Sequence, residues 1–295
     1  MAQDQDEAIL TQFEEALTQS ALSSSTIVNY LADLRAFLRW GKREVGDKFS
    51  LAEVSQEHIR LYRYHLTQKL NRAASTVNRH LMALRKFFAF AKEVDAISAN
   101  PTSGVALVQN DGMAISRPLS RDEIEKLFNA AESGSRAGLI RRDLAILQLL
   151  LHTGLRVSEV VDLQKDDLIF DNPGLRLKVC NGQETKIRYL PLCTEVCKAL
   201  NDYLAVRPRT TTTDHLFLSQ QGNPVSDRTI QRIIRDCARA AALEGVSAQS
   251  LRRTFALQLF AETNDLKLVS ERLGHQNSKI TAQYLAVHNQ LKDRI

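Results

Sequence analysis

Apolar residues recur at helical spacing through most of the first hundred or so positions. Residues 6–21 put Ile9, Leu10, Phe13 and Leu17 at intervals near 3.6, which predicts an amphipathic helix. Ser23, Ser24, Ser25 and Thr26 offer caps for a second helix carrying Ile27, Tyr30, Leu31, Leu34, Phe37, Leu38 and Trp40. A third helix is expected from Ser55, with Gln56 and Glu57 in its first turn. A fourth is expected from Ser75, with a core stripe of Val77, Leu81, Leu84, Phe87, Phe88 and Phe90. Four such helices predict a compact all-α domain.

Periodicity lapses over residues 96–119, where Pro101, Gly104, Gly112 and Pro118 fall. That composition reads as a linker, with a boundary near 110–117 that divides the chain into domains 1–110 and 111–295. Ser120 and Glu123 form a capping-box pair at the start of the next helix. Residues 139–152 are apolar enough for a buried helix, and 156–163 continue into another. Between 167 and 192 the period changes to two, as in Leu175-Arg176-Leu177-Lys178-Val179 and Ile187-Arg188-Tyr189-Leu190. Asn172-Pro173-Gly174 and Asn181-Gly182 mark the turns of that small sheet. Helices are expected near 193–205, 226–242, 247–262, 265–273 and 278–285. The class is mainly α (α+β): a helical first domain, then a mostly helical one with a small antiparallel sheet.

Composition adds little to this until the charges are placed. The formal charge is +5 and the pI near 9.0, weak evidence for a polyanionic partner. The distribution says more: residues 58–92 hold Arg60, Arg63, Lys69, Arg72, Arg79, Arg85, Lys86 and Lys92 and no Asp or Glu. A generic solvated face mixes signs, so these eight are candidate DNA-phosphate contacts. On the fourth helix Arg79, Arg85, Lys86 and Lys92 fall off the apolar stripe and are expected to stand free for a phosphate backbone. Cys180, Cys193, Cys197 and Cys237 form no CxxC pair, so reduced thiols are expected rather than zinc ligands or disulfides. No apolar run reaches the ~18 residues of a membrane span. The opening MAQDQDEAIL has no apolar signal core, so the expected location is the cytoplasm.

The candidate chemistry lies in three separated segments: HTGLRVSEVVDL (152–163), SLRRTFALQLF (250–260) and LGHQNSKITAQYL (273–285). They carry Arg156, Arg252, His275 and Tyr284. Cleaving a phosphodiester with a protein hydroxyl builds negative charge on the phosphoryl oxygens and leaves a 5′-oxygen needing a proton. Arginine meets the first need with a planar, permanently charged fork. Each preorganised donor of this sort contributes on the order of 3 kcal/mol. A lysine with a lowered pKa meets the second. A tyrosine is a suitable nucleophile because its aryl ester conserves bond energy for rejoining. Its ordinary pKa of about 10 means it needs a cationic pocket. This inventory requires no metal and no cofactor. Arg156 also has a purely structural alternative, a local pair with Glu159 three residues on.

Taken together and in this order, the segments resemble the tyrosine recombinase (phage integrase) family, most closely its Xer-like bacterial members, over almost the whole chain. Leu273-Gly274-His275 matches the family's LGH, and Tyr284 follows at the family's spacing to its nucleophile. Glu159 matches the acidic position of TGLRxSE, a supporting role. Two departures stand out. The family's His-x-x-Arg-His reads Gln249-Ser250-Leu251-Arg252-Arg253 here, so Gln249 replaces a histidine and cannot shuttle protons. The family's Gly-Lys-Gly-x-Lys-x-Arg run reads from Gly182 to Arg188, with Gln183 where the catalytic lysine belongs. Lys186 falls on the run's second lysine and is the candidate general acid, with Lys178 as the other choice.

The resemblance implies a SAM-like N-terminal DNA-binding domain and a C-terminal catalytic domain clamping duplex DNA at a specific recombination site. It implies tetramers on DNA, of one protein or with a paralogue, and a tail at about 287–295 docking on a neighbour. Strand exchange would run through 3′-phosphotyrosyl links and a Holliday junction. The alternatives are a DNA-binding protein of this fold that no longer cuts, which Gln249 and the displaced lysine would favour, and a type IB topoisomerase-like enzyme.

Overall fold

The computed structural model describes residues 2–20, 22, 24–46, 49–109, 117–134, 139–171, 174–181, 184–208, 213–275 and 281. Tyr284, Gln183 and the tail lie outside this set, as do most of the helix expected at 278–285 and the turn residues Asn172, Pro173 and Gly182. The chain divides into two compact units, Met1–Met113 and Ala114–Ile295.

The first unit contains α1 (Ala2–Gln19), α2 (Ser24–Glu44), α3 (Gln56–Tyr64) and α4 (Ala74–Glu93). Ser55 caps α3 by accepting the His58 N–H, and the helix runs on through a widened π turn, His65–Lys69. The α4 stripe is buried as its spacing predicts: Val77, Leu81, Leu84, Phe87 and Phe88 meet Phe13, Leu34, Phe37 and Tyr62 in one core. Phe13 meets the Phe87 ring edge-on at 5.3 Å.

The second unit opens with α5 (Arg121–Glu132), α6 (Ile140–Thr153) and α7 (Val157–Asp162). The Ser120–Glu123 capping box is present at α5. Three antiparallel strands follow in sequence order: β1 (Leu168–Asp171), β2 (Gly174–Asn181) and β3 (Glu184–Pro191). Their register sets Leu168 against Leu177 and Leu177 against Leu190, the inward face. Val179 sits opposite Arg188 on that same face, while Lys178 pairs with Tyr189 on the other. The unit closes with α8 (Thr194–Val206), α9 (Asp227–Ala240), α10 (Ala248–Thr263) and α11 (Leu266–Leu273). Most of α6 is buried at the centre of the main core, and Ala256, Val269 and Leu273 make a satellite cluster between α10 and α11.

One junction brings the three chemistry-bearing segments together. Gly154 ends α6 in the left-handed region (φ +63°), and a Cβ there would lie 2.4 Å from Phe255 Cδ1 and 2.8 Å from Leu273 Cδ2. Only a residue without a side chain lets α10 and α11 approach the α6–α7 corner this closely.

Candidate active site

Arg156 sits at that corner. It is the N-cap of α7, in extended conformation, rather than a first-turn residue as the sequence suggests. Glu159, on the first turn of α7, reaches back: its Oε2 accepts the Arg156 backbone N–H at 2.8 Å and its Oε1 accepts Arg156 Nη1 at 3.1 Å. The local Arg156–Glu159 pair is therefore real. It does not exhaust the guanidinium, which also donates from Nη2 to the Gly274 carbonyl at 3.3 Å.

Arg252 lies on α10 with 4% of its surface exposed. Its guanidinium donates to two main-chain carbonyls, Gly154 at the α6 terminus and Leu273 at the α11 terminus, the latter at 2.7 Å. A buried cation needs such acceptors, and a helix C-terminus supplies partial negative charge besides. Arg188 reaches the same place from β3, with Nε donating to the Arg272 carbonyl at 3.2 Å. Three consecutive carbonyls, those of residues 272, 273 and 274, thus each accept one guanidinium, from Arg188, Arg252 and Arg156 respectively. The C-terminus of α11 gathers three cations that are distant along the chain.

His275 follows directly. Its backbone N–H donates to Ser270, and its Nδ1 lies 2.8 Å from the hydroxyl of Thr281. Burial, then the fields of Arg252, Arg156 and Arg188, push its pKa down to about 4 against a weaker opposing pull from Glu159. The imidazole is therefore neutral at pH 7, a hydrogen-bonding group rather than a fourth cation. Burial alone would raise the Glu159 carboxyl, but hydrogen bonds and charge from Arg188, then Arg156, outweigh it and hold the pKa below its ordinary value.

Gln249 stands on α10 one turn before Arg252 and is partly exposed. Lys186 has its backbone in β3, two residues before Arg188. Lys178 is on the outer face of the sheet, 4.0 Å from Asp167, which disfavours it as the general acid. Arg188 is the member that sequence reasoning passed over. The signal was available, since in an alternating strand Arg188 shares its face with the buried Leu190, while Ile187 and Tyr189 point outward.

The fold engages part of the first unit's basic run in its own contacts. Arg79 is paired with the buried Asp33, Arg85 donates to the Val105 carbonyl at 2.6 Å, and Arg63 donates to the Ala106 carbonyl at 2.8 Å. Arg79 and Arg85 do not stand free, because folding brings acceptors from α2 and the 105–108 segment beside them. Among the described residues, Arg60 and Lys69 have only long, exposed ion pairs, to Glu57 at 3.9 Å and Glu44 at 3.7 Å. Arg72, Lys86 and Lys92 have no ion pair among the described residues.

Comparison with known proteins identifies the family and the fold. Residues 117–290 match the Phage integrase family, and residues 10–94 match the Phage integrase N-terminal SAM-like domain. The tyrosine recombinase XerC of Pelobacter propionicus is 31% identical over 271 residues, 92% of this chain and 87% of that protein. The XerH site-specific recombinase, solved with its palindromic difH substrate after cleavage, superposes with a TM-score of 0.75 at 21% identity, covering 91% of this chain and 78% of that one. A lambda integrase tetramer bound to a Holliday junction gives 0.72 at 20% identity, covering 94% and 76%. The chain belongs to the phage integrase family, the tyrosine recombinases, enzymes of DNA strand breakage and rejoining.

Proposed function

We propose that this protein is a site-specific DNA recombinase that cuts and rejoins duplex DNA through a 3′-phosphotyrosyl link at Tyr284, without a metal or organic cofactor. The observation that carries this reading is the gathering of Arg156, Arg188 and Arg252 on consecutive carbonyls beside a neutral His275. Three cations packed so closely repel one another, and an incoming phosphate relieves that repulsion. Arg156 and Arg252 take the non-bridging oxygens, and His275 adds an uncharged hydrogen bond. Tyr284 lies three residues beyond Thr281, whose hydroxyl contacts the His275 ring.

In the first step the Tyr284 phenol gives up its proton to solvent water and Oη attacks phosphorus. The P–Oη bond forms and the bond to the 5′-oxygen breaks. Lys186 protonates the leaving oxygen, giving a free 5′-hydroxyl. That hydroxyl attacks the phosphotyrosyl link of the partner strand in the reverse sense, restoring the tyrosine and building a Holliday junction. Gln249 donates a hydrogen bond to the phosphate and takes no proton. The reading includes DNA held by the basic α3–α4 surface, a tetramer formed by this protein alone or with a paralogue, and action in the cytoplasm at the nucleoid.

Denaturing capture of covalent complexes from fragmented genomic DNA tests this. Recovery of a discrete set of fragments, two copies of which recombine on one plasmid, is the expected outcome. Relaxation of supercoiled plasmids lacking those fragments, with no preferred site, would make the protein a topoisomerase instead.

A further inference from the structure

We infer that Arg188 is a positioning residue: it locks the Glu159 carboxylate with a two-pronged bond and so fixes the Arg156 guanidinium where the phosphate must be received. This rests on the proposed Tyr284 chemistry. Glu159 is 7% exposed, and each of its oxygens accepts twice. Oε1 takes Arg156 Nη1 at 3.1 Å and Arg188 Nη1 at 2.9 Å, while Oε2 takes the Arg156 backbone N–H at 2.8 Å and Arg188 Nη2 at 2.9 Å. A carboxylate with both oxygens filled in this way has no rotational freedom left. The Arg156 side chain, 43% exposed, is by contrast held by single bonds at 3.1 and 3.3 Å. A long exposed side chain with such contacts samples several rotamers unless its partner is rigid. Arg188, 13% exposed and anchored by a third bond to the Arg272 carbonyl, supplies that rigidity.

The same side chain joins the sheet to the site. Arg188 connects β3, the strand that also holds the Lys186 backbone, to the first turn of α7 and the end of α11. A shift of the β2–β3 hairpin therefore loosens Arg156 as well as moving the general-acid candidate. Lysine cannot replace it, because an ammonium is a point charge and offers no planar fork to both oxygens.

Single-turnover formation of the covalent adduct on a nicked suicide substrate, at saturating protein, tests the inference. Arg188→Lys and Arg188→Ala are expected to slow adduct formation roughly tenfold to 100-fold, the cost of a misplaced clamp, with DNA affinity before cleavage changed less than about threefold. Guanidinium ion added to Arg188→Ala should restore part of the rate, which a merely structural loss would not allow. Glu159→Gln in the Arg188→Ala background should slow the reaction little further, since both act through Arg156. A folded Arg188→Lys that cleaves at the wild-type rate, or Arg188 and Glu159 costs that multiply, overturns the inference. If Arg188→Ala does not fold, the Arg188→Lys rate decides alone. Failure of the parent reading looks different: wild-type protein then gives no adduct, or one that Tyr284→Phe also gives.

Discussion

His275 stands between a helix terminus that attracts cations and the three cations it has attracted, and its imidazole is held neutral to about pH 4. The unfolded chain carries this group with a pKa near 6.5. Between those two values the unfolded state binds more protons, so the contribution to stability is complete above about pH 6.5 and is lost as pH falls toward 4. Unfolding free energy measured from pH 7 to 4.5 should therefore drop more steeply for wild type than for His275→Gln. Parallel curves would mean that the imidazole is not in this field. A DNA phosphate opposes the guanidinium part of this shift but not the larger part due to burial, so proton uptake on binding short duplex DNA near pH 5.5 should stay well below one per protein. Calorimetry in buffers of different ionisation enthalpy reads that uptake directly. The residue types were legible in the sequence: the order Arg156, Arg252, His275 needs no coordinates. Strand alternation marks Arg188 as inward-facing, but its pairing with Glu159, 29 residues away, is announced by no local spacing.

Gly154 decides how elements meet. It terminates α6, gives its carbonyl to Arg252, and leaves room for Phe255 and Leu273 where α10 and α11 pack. Gly154→Ala would place a Cβ at a positive φ and against two core side chains. A stability loss of roughly 2–4 kcal/mol is expected from the combination, together with slowed cleavage, since the Arg252 acceptor moves too. A variant as stable and active as wild type would mean that the corner is not under this constraint. Strands and most helix starts in this unit follow from the sequence because their causes are local: period-two alternation and the Ser120 cap. The α7 start was misplaced by a residue because Glu159 caps from inside the helix, and the N-cap arginine itself carries no such signal.

At the scale of the molecule, a charge of +5 means less than where the cations are spent. Arg63, Arg79 and Arg85 serve the first unit's own fold, through partners 43, 46 and 20 residues away. That division was hidden in a run read only for its sign. Lys86→Ala and Lys92→Ala should weaken DNA binding with little effect on melting, each lowering the slope of log K against log salt by about one. Arg85→Ala should lower the melting temperature, because it frees the Val105 carbonyl. The opposite pattern, with Arg85 controlling the salt slope and Lys86 the stability, would refute the assignment. Two units, one with a basic helical surface and one with the guanidinium cluster, suit a protein that binds duplex DNA and acts on its backbone.

If the proposed chemistry holds, Tyr284 becomes bonded to DNA at the guanidinium cluster. Incubating the protein with a nicked duplex that carries its site, denaturing it, and sequencing the DNA-linked peptide tests this most directly. The expected product is a 3′-phosphate ester on Tyr284 in wild type and no linked peptide in Tyr284→Phe that still binds the duplex. A linkage on another residue, or wild-type protein that binds the site and never becomes attached, would contradict it.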